Sequence, residues 1–185
     1  LTDFDRDRLL PMMYSNETPA LLKGDINKDG VNEIYIGGGK DQAGSFIVFN
    51  QTGNLNLFTP KNFLKYSLGE ETKGALFDVD NDGDLDFYQA TGGRFFPAIS
   101  DAQHDRIFLN DGNGDFFESP YPLPFAGFIS TSVVKPIDFD KDGDMDLLIG
   151  ERFDPFIYGK GGRGFLFQND GKGLFIDVTN EYAPD

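Results

Sequence analysis

Three nine-residue stretches limit what this chain can fold into more than anything else in it. They are Asp25-Ile26-Asn27-Lys28-Asp29-Gly30-Val31-Asn32-Glu33, Asp78-Val79-Asp80-Asn81-Asp82-Gly83-Asp84-Leu85-Asp86 and Asp138-Phe139-Asp140-Lys141-Asp142-Gly143-Asp144-Met145-Asp146. Each has oxygen-bearing side chains at positions 1, 3, 5 and 9 and glycine at position 6. Alternate side chains of a tight loop point into one concavity, and a residue without Cβ can take the φ > 0 of a sharp turn. Five carboxylates in nine residues, as in the second and third copies, repel one another unless a cation sits among them. Calcium suits such a set, because it takes six to eight oxygen ligands in loose geometry. The predicted side-chain ligands are Asp25, Asn27, Asp29 and Glu33; Asp78, Asp80, Asp82 and Asp86; and Asp138, Asp140, Asp142 and Asp146. The backbone carbonyls of Val31, Asp84 and Asp144, at position 7, would complete each set, giving about three calcium ions. The competing reading is an Asx-rich turn that holds no metal. The first copy admits it more readily, since Asn27 replaces a carboxylate.

An EF-hand opens in the same way but needs a bidentate Glu at position 12 and a helix on each side. Position 12 here is Ile36, Gln89 or Ile149. Each loop instead runs straight into Ile34-Tyr35-Ile36, Phe87-Tyr88 or Leu147-Leu148-Ile149, which reads as a short buried strand. These are loops between β-strands.

The loops begin at 25, 78 and 138, a period of 53 and then 60 residues. Within each period the same order of short strands returns. The first period offers 20–24, 34–36, 45–49 and 55–58; the second 74–77, 87–88, 107–109 and 116–117; the third 132–134, 147–149, 165–167 and 175–178. Asn-Asp-Gly-x-Gly-x-Phe separates the last two strands at 110–116 and 169–175, with a decayed form near Asn50. It reads as a hairpin turn whose glycines meet a φ > 0 demand. Four short strands per period, without helical periodicity, make one propeller blade. The predicted fold is therefore all-β: about three four-stranded antiparallel β-propeller blades, part of a larger propeller. A lead-in segment spans 1–19, blade 1 spans 20–69, blade 2 spans 70–130 and blade 3 spans 131–185. The 20 Phe and 7 Tyr, with no Trp, would fill the space between stacked sheets.

A loop of the type Asp-x-Asp-x-Asp-Gly-x-x-Asp running into an aliphatic strand, with Asn-Asp-Gly-x-Gly-x-Phe about 30 residues later, resembles the FG-GAP/VCBS repeat. That family builds calcium-binding β-propellers, including the integrin α-subunit head and many bacterial surface proteins. Phe175-Ile176-Asp177-Val178-Thr179 is similar to the usual end of the repeat. The FG and GAP tripeptides are not intact, so the VCBS-like branch fits better than the integrin branch. The N-terminal Asp3-Phe4-Asp5-Arg6 followed by Leu9-Leu10-Pro11 resembles large secreted bacterial proteins of the cartilage-acidic-protein-like (ASPIC/UnbV) group. The resemblance covers about residues 20–180 and implies metal ligation by positions 1, 3, 5 and 9, with backbone oxygen from position 7.

Charge and composition narrow the function. Of 31 acidic residues, three lie in the first loop and five in each of the others, so much of the net charge of −15 is concentrated there. Three bound dications would bring the formal charge to about −9. No basic patch stands out, which argues against nucleic acid. There is no cysteine, hence no disulfide framework or thiol chemistry. No apolar run approaches the ~18 residues of a membrane span.

The chain is expected not to be an enzyme. His104 is the only histidine, which excludes a multi-histidine zinc site, and no Gly-x-Ser-x-Gly elbow or phosphate-cradling glycine loop occurs. The function expected is a calcium-binding, extracellular binding, adhesion or scaffold module, at a cell surface or outer membrane. The alternative is a non-catalytic scaffold within a larger secreted enzyme, for example one acting on glycans. A protein or glycan ligand would be met by Gly92-Gly93-Arg94-Phe95-Phe96-Pro97 and Gly150-Glu151-Arg152-Phe153-Asp154-Pro155, two connections that place Arg94/Phe95 and Arg152/Phe153 on the end opposite the acidic loops. Arg and aromatic residues are common interface anchors. The alternative for both pairs is structural, with Arg on nearby acids and Phe packed between blades. Open blade edges would further permit self-association.

Overall fold

The structure is a computed structural model that describes residues 19–49, 53–92, 104–125, 129–153 and 160–183. The lead-in segment up to residue 18, residues 50–52 of the decayed turn near Asn50 and the Arg94/Phe95 pair lie outside the described residues.

Twelve strands form three four-stranded antiparallel sheets, each a simple meander. Blade 1 contains β1 (Leu21–Gly24), β2 (Glu33–Ile36), β3 (Ser45–Phe49) and β4 (Leu55–Phe58). Blade 2 contains β5 (Glu70–Phe77), β6 (Asp86–Gly92), β7 (Arg106–Asn110) and β8 (Phe116–Glu118). Blade 3 contains β9 (Thr131–Ile137), β10 (Asp146–Glu151), β11 (Gly164–Asn169) and β12 (Phe175–Asp177). The first strands β1, β5 and β9 lie side by side, so the sheets succeed one another as propeller blades do. Every acidic loop joins the first and second strand of its blade, as expected.

Alternation along the strands explains the packing, since successive side chains of a strand point to opposite faces. In β2, Tyr35 is buried against blade 2 while its neighbour Ile36 is exposed. In β6, flanked on both sides, every residue is buried: Phe87 faces blade 1 and Tyr88 faces blade 3. In β10, Leu147 and Ile149 are buried toward blade 2 and Leu148 is exposed. The core is accordingly two layers, one in each joint between blades, rather than a single centre.

The joint between blades 1 and 2 is aromatic. Phe63 sits fully buried, its ring 4.7 Å from Phe108, 5.2 Å from Phe87 and 5.5 Å from Phe116. Tyr35 lies 4.5 Å from Phe87, and Phe46 stacks on Phe116. Phe63 comes from a 3-10 helix, Lys61–Tyr66, in the link between the two blades. The sequence did not announce that helix, because six residues are too few to show a period. Burial of one such ring contributes roughly 1.5–3 kcal/mol. In the second joint Phe125, again from the link between blades, packs edge-on against Phe165 and Phe167. A short helix α1 (Thr179–Tyr182) closes the described chain, its Tyr182 against Phe139.

Two β-bulges depart from the simple strand reading. One lies at Thr72, where Glu71 opposes Thr91 and Lys73 opposes Ala90. The other lies at Ser132, where Val133 opposes Gly150 and Thr131 opposes Glu151. A bulge leaves one residue out of the ladder and bends the strand. Glu71 meets blade 1 while Thr72 donates from its hydroxyl to the Thr131 carbonyl of blade 3 at 3.1 Å.

Glu71 is one of two buried carboxylates that hold the joints at the end away from the acidic loops. It accepts from the Tyr35 hydroxyl, from the Gly44 N–H at 3.0 Å and from Gln89 Nε2 at 2.9 Å. A Cβ on Gly44 would lie 2.4 Å from its Oε2, so only glycine fits there. In the next joint Asp105 accepts from Tyr88 Oη at 2.8 Å, from the Thr91 N–H at 2.8 Å and from Thr131 Oγ1 of blade 3 at 2.5 Å. The outer faces are apolar too. Leu21, Ile36, Leu55 and Leu57 are exposed on blade 1, and Val133, Ile137, Leu148 and Ile176 on blade 3.

Burial raises Asp105 from its ordinary 3.8 to about 6, against the lowering effect of the four hydrogen bonds it accepts. The folded chain therefore keeps a proton that the unfolded chain releases, and this group contributes stability at low pH that is lost as pH rises through about 6. Asp105→Asn can keep all of its partners, since the Tyr88 and Thr131 hydroxyls can turn to accept. The expected result is that wild type loses roughly 3 kcal/mol relative to Asp105→Asn between about pH 4 and pH 7. Urea unfolding of both proteins across that range checks it, and Asp105→Ala should be destabilised at every pH.

Candidate metal centres

The three acidic loops sit at one end of the blades, each closed by glycine in the left-handed region: Gly30 at φ 86°, Gly83 at 87° and Gly143 at 100°. Position 4 is left-handed as well, at Lys28 (57°), Asn81 (61°) and Lys141 (65°). Asparagine tolerates that conformation better than lysine. Side chains within each loop cap the backbone. In the second loop Gly83 N–H donates to Asp78 Oδ2 at 3.0 Å and Asp84 N–H to Asp82 Oδ1 at 3.1 Å.

Carboxylate oxygens of Asp78, Asp80 and Asp82 lie within 4.8 Å of one another, as do those of Asp138, Asp140 and Asp146. Several are buried without a hydrogen-bond partner: Asp78 Oδ1, Asp80 Oδ1 and Asp84 Oδ1 in the second loop, Asp138 Oδ1 and Asp144 Oδ1 in the third, and Glu33 Oε1 in the first. A buried carboxylate oxygen with no donor is costly unless a cation faces it. The second and third loops therefore fit a hard, oxygen-seeking cation. In the first loop Asp25 gives both oxygens to backbone N–H groups, Oδ1 to Asp29 at 3.2 Å and Oδ2 to Gly30 at 2.9 Å.

Their electrostatics agree. Burial first, then Asp82, pushes Asp84 up to about 6. Burial first, then the neighbouring carboxylate Asp142, pushes Asp144 to the same value. Asp86 reaches about 7 through burial, although two backbone donors work against it. Burial also raises Glu33, Asp80 and Asp146.

Position 9 does more than offer a ligand. Asp86 Oδ2 accepts from Val79 N–H and Oδ1 from Asn110 N–H, both at 2.7 Å. Asp146 repeats this with Phe139 at 3.1 Å and Asn169 at 2.9 Å. These asparagines open the Asn-Asp-Gly-x-Gly-x-Phe turns, whose glycines have φ between 72° and 88° as expected. Their side chains then reach the preceding blade. Asn110 Nδ2 donates to the Ile26 carbonyl of the first loop at 2.7 Å, and Asn169 Nδ2 to the Val79 carbonyl of the second at 2.8 Å. Each Oδ1 accepts from a turn glycine, Gly114 or Gly173. The sequence showed the turn but not this fastening, because its partner lies 84 or 90 residues away.

At the other end, Arg152 N–H donates to the Ser130 carbonyl at 2.8 Å and Phe153 bridges Gly161. Both residues are half-buried. His104 lends its carbonyl to Arg106 Nη1.

Three such blades with acidic loops at one end define an all-β protein of the propeller-repeat class. Residues 78–149, from the first aspartate of the second loop to the strand after the third, match the FG-GAP-like repeat family. A lectin of Agrocybe aegerita, described as specifically recognising non-reducing terminal N-acetylglucosamine, is similar in structure. The TM-score is 0.54 and the identity 18%, over 94% of this chain and 40% of the lectin chain. The chain thus spans well under half the length of that lectin. No curated protein matches it. Among the described residues no helix is long and apolar enough to cross a membrane, which says nothing about β-barrels.

Replacing Asn169 tests the fastening. Asn169→Ala strands the Val79 carbonyl and the Gly173 N–H in a buried site, and should lower unfolding free energy by roughly 3 kcal/mol. Asn169→Asp should cost more, since it sets a carboxylate against the Val79 and Met145 carbonyls. Equilibrium denaturation of the two variants gives both numbers.

Proposed function

We propose that the chain is a calcium-stabilised propeller segment, non-catalytic, acting outside the cytoplasm as a binding or scaffold module. One observation carries this reading: the buried carboxylate oxygens of the second and third loops that no protein donor satisfies, beside the joints between blades. Calcium would supply charge neutralisation there, held by Asp78, Asp80 and Asp82 in one loop and by Asp138, Asp140 and Asp146 in the other. Extracellular calcium modules bind with dissociation constants of roughly 10⁻⁴–10⁻³ M, an affinity matched to millimolar calcium.

The lectin likeness supports a glycan as the ligand class, with the connections at the end opposite the acidic loops as the contact surface. Phe153 and Arg152 are the described candidates there. A structural role for them is supported by the backbone bonds that pin their segment. Among repeat subtypes we read the chain as VCBS-like, with the ASPIC/UnbV group suggested by its N-terminal motif. The apolar outer faces of blades 1 and 3 are where self-association would occur. The second reading, a scaffold within a larger secreted enzyme, leaves every role assigned above unchanged.

A thermal melt in EDTA, calcium or magnesium tests the proposal. One native-state site at a hundred times its Kd stabilises by about 2.7 kcal/mol. Calcium should therefore raise Tm by several degrees or more and magnesium by much less. An unchanged melt removes calcium from the function. Ligation needs ionised carboxylates, so calcium affinity should fall as pH drops from about 7 to about 5, with protons released on binding near pH 6. Titration calorimetry in buffers of different ionisation enthalpy measures that release.

A further inference from the structure

We infer that the protein takes two calcium ions, and that the first loop is a metal-free turn whose work is to join blades 1 and 2. The inference rests on the calcium reading above. The loops look alike in sequence, but their oxygens are engaged differently. Asp25, at position 1, has both oxygens occupied by backbone donors, Asp29 N–H at 3.2 Å and Gly30 N–H at 2.9 Å. Its counterpart Asp78 gives only Oδ2, to Gly83 N–H, and leaves Oδ1 buried without a partner. Asp138 Oδ1 is left in the same condition. At position 3, Asn27 Oδ1 accepts from Asp29 N–H at 3.0 Å, as Asp140 Oδ1 does from Asp142 N–H at 3.2 Å in the third loop. Asp80 Oδ1 is buried and unmatched, so position 1 is where the first loop differs from both others.

Convergence points the same way. Three carboxylates approach within 4.8 Å in the second loop and in the third, and each trio includes position 3, where the first loop has the neutral Asn27 instead of a carboxylate. Glu33 Oε1 is the first loop's one buried oxygen without a partner, against three in the second loop and two in the third. An ion at the first loop would share both Asp25 oxygens with backbone donors already on them, whereas Asp78 and Asp138 each offer an oxygen that no donor holds. Formal charge also differs. The first loop carries three carboxylates and Lys28, the second five carboxylates and no base, the third five carboxylates and Lys141.

The first loop has another task. Its Ile26 carbonyl accepts from Asn110 of blade 2, and Lys28 Nζ lies 3.9 Å from Asp84 Oδ2 of the second loop.

Native mass spectrometry and calorimetric titration with calcium chloride, up to about 2 mM, on the full 185-residue chain decide the matter. Two bound ions are expected in the wild type. Asp78→Asn and Asp138→Asn should each remove one, and Asp25→Asn should leave both ions and both affinities unchanged. A third ion in the wild type, or loss of an ion in Asp25→Asn, overturns the inference while leaving the calcium reading intact. No ion bound to the folded wild type overturns the calcium reading itself. The wild-type count stands even if a variant fails to fold, and Asp82→Asn then serves as the second-loop probe.

Discussion

The structure depends on one carboxylate per joint, Asp86 in blade 2 and Asp146 in blade 3. Each receives an N–H from position 2 of its own loop and another from the asparagine that begins the hairpin turn two strands later. The first bond closes the loop and the second ties the loop to the turn. With its backbone held in this way, the asparagine side chain is aimed at the preceding blade's loop. Loop, turn and joint are consequently one hydrogen-bonded unit, and the acidic clusters of the second and third loops lie inside it. This accounts for the carboxylates raised by burial: their positions are set by backbone geometry, and a bound cation would relieve charge already in place.

At the other end of each joint the chemistry is different. Glu71 and Asp105 are buried carboxylates with hydroxyl and N–H donors from both neighbouring blades. Between the two ends lie the aromatic rings of the first joint and the mixed aliphatic and aromatic layer of the second. A joint is thus apolar in its middle and polar at both rims, and the apolar layer supplies most of the burial energy. Polar groups at the rims fix the register, because they can be satisfied in one alignment only.

Much of this was legible in the chain itself. The repeated loop motif marked where first and second strands meet, and alternating apolar residues marked the strands, so the sheet order followed. The Asn-Asp-Gly-x-Gly-x-Phe turns appeared where expected. Other features left no local trace. Glu71 and Asp105 look like ordinary surface acids, since their partners Tyr35 and Thr131 are 36 and 26 residues away. The bulges at Thr72 and Ser132 are set by what the adjoining blades require. Phe63 was hidden in a link that has no period to read. Within the candidate sites, residue types were plain in the sequence but their engagement was not: Asp25 and Asp78 occupy the same motif position and differ only in which donors reach them.

The fastening asparagines also carry a direction. Each acts backward along the chain, from a later blade to a loop already completed in an earlier one. A ribosome releasing this chain from its N-terminus exposes the Ile26 acceptor well before Asn110 is made, and the Val79 acceptor well before Asn169. Each later blade therefore brings its own clasp to an acceptor already synthesised in the blade before it.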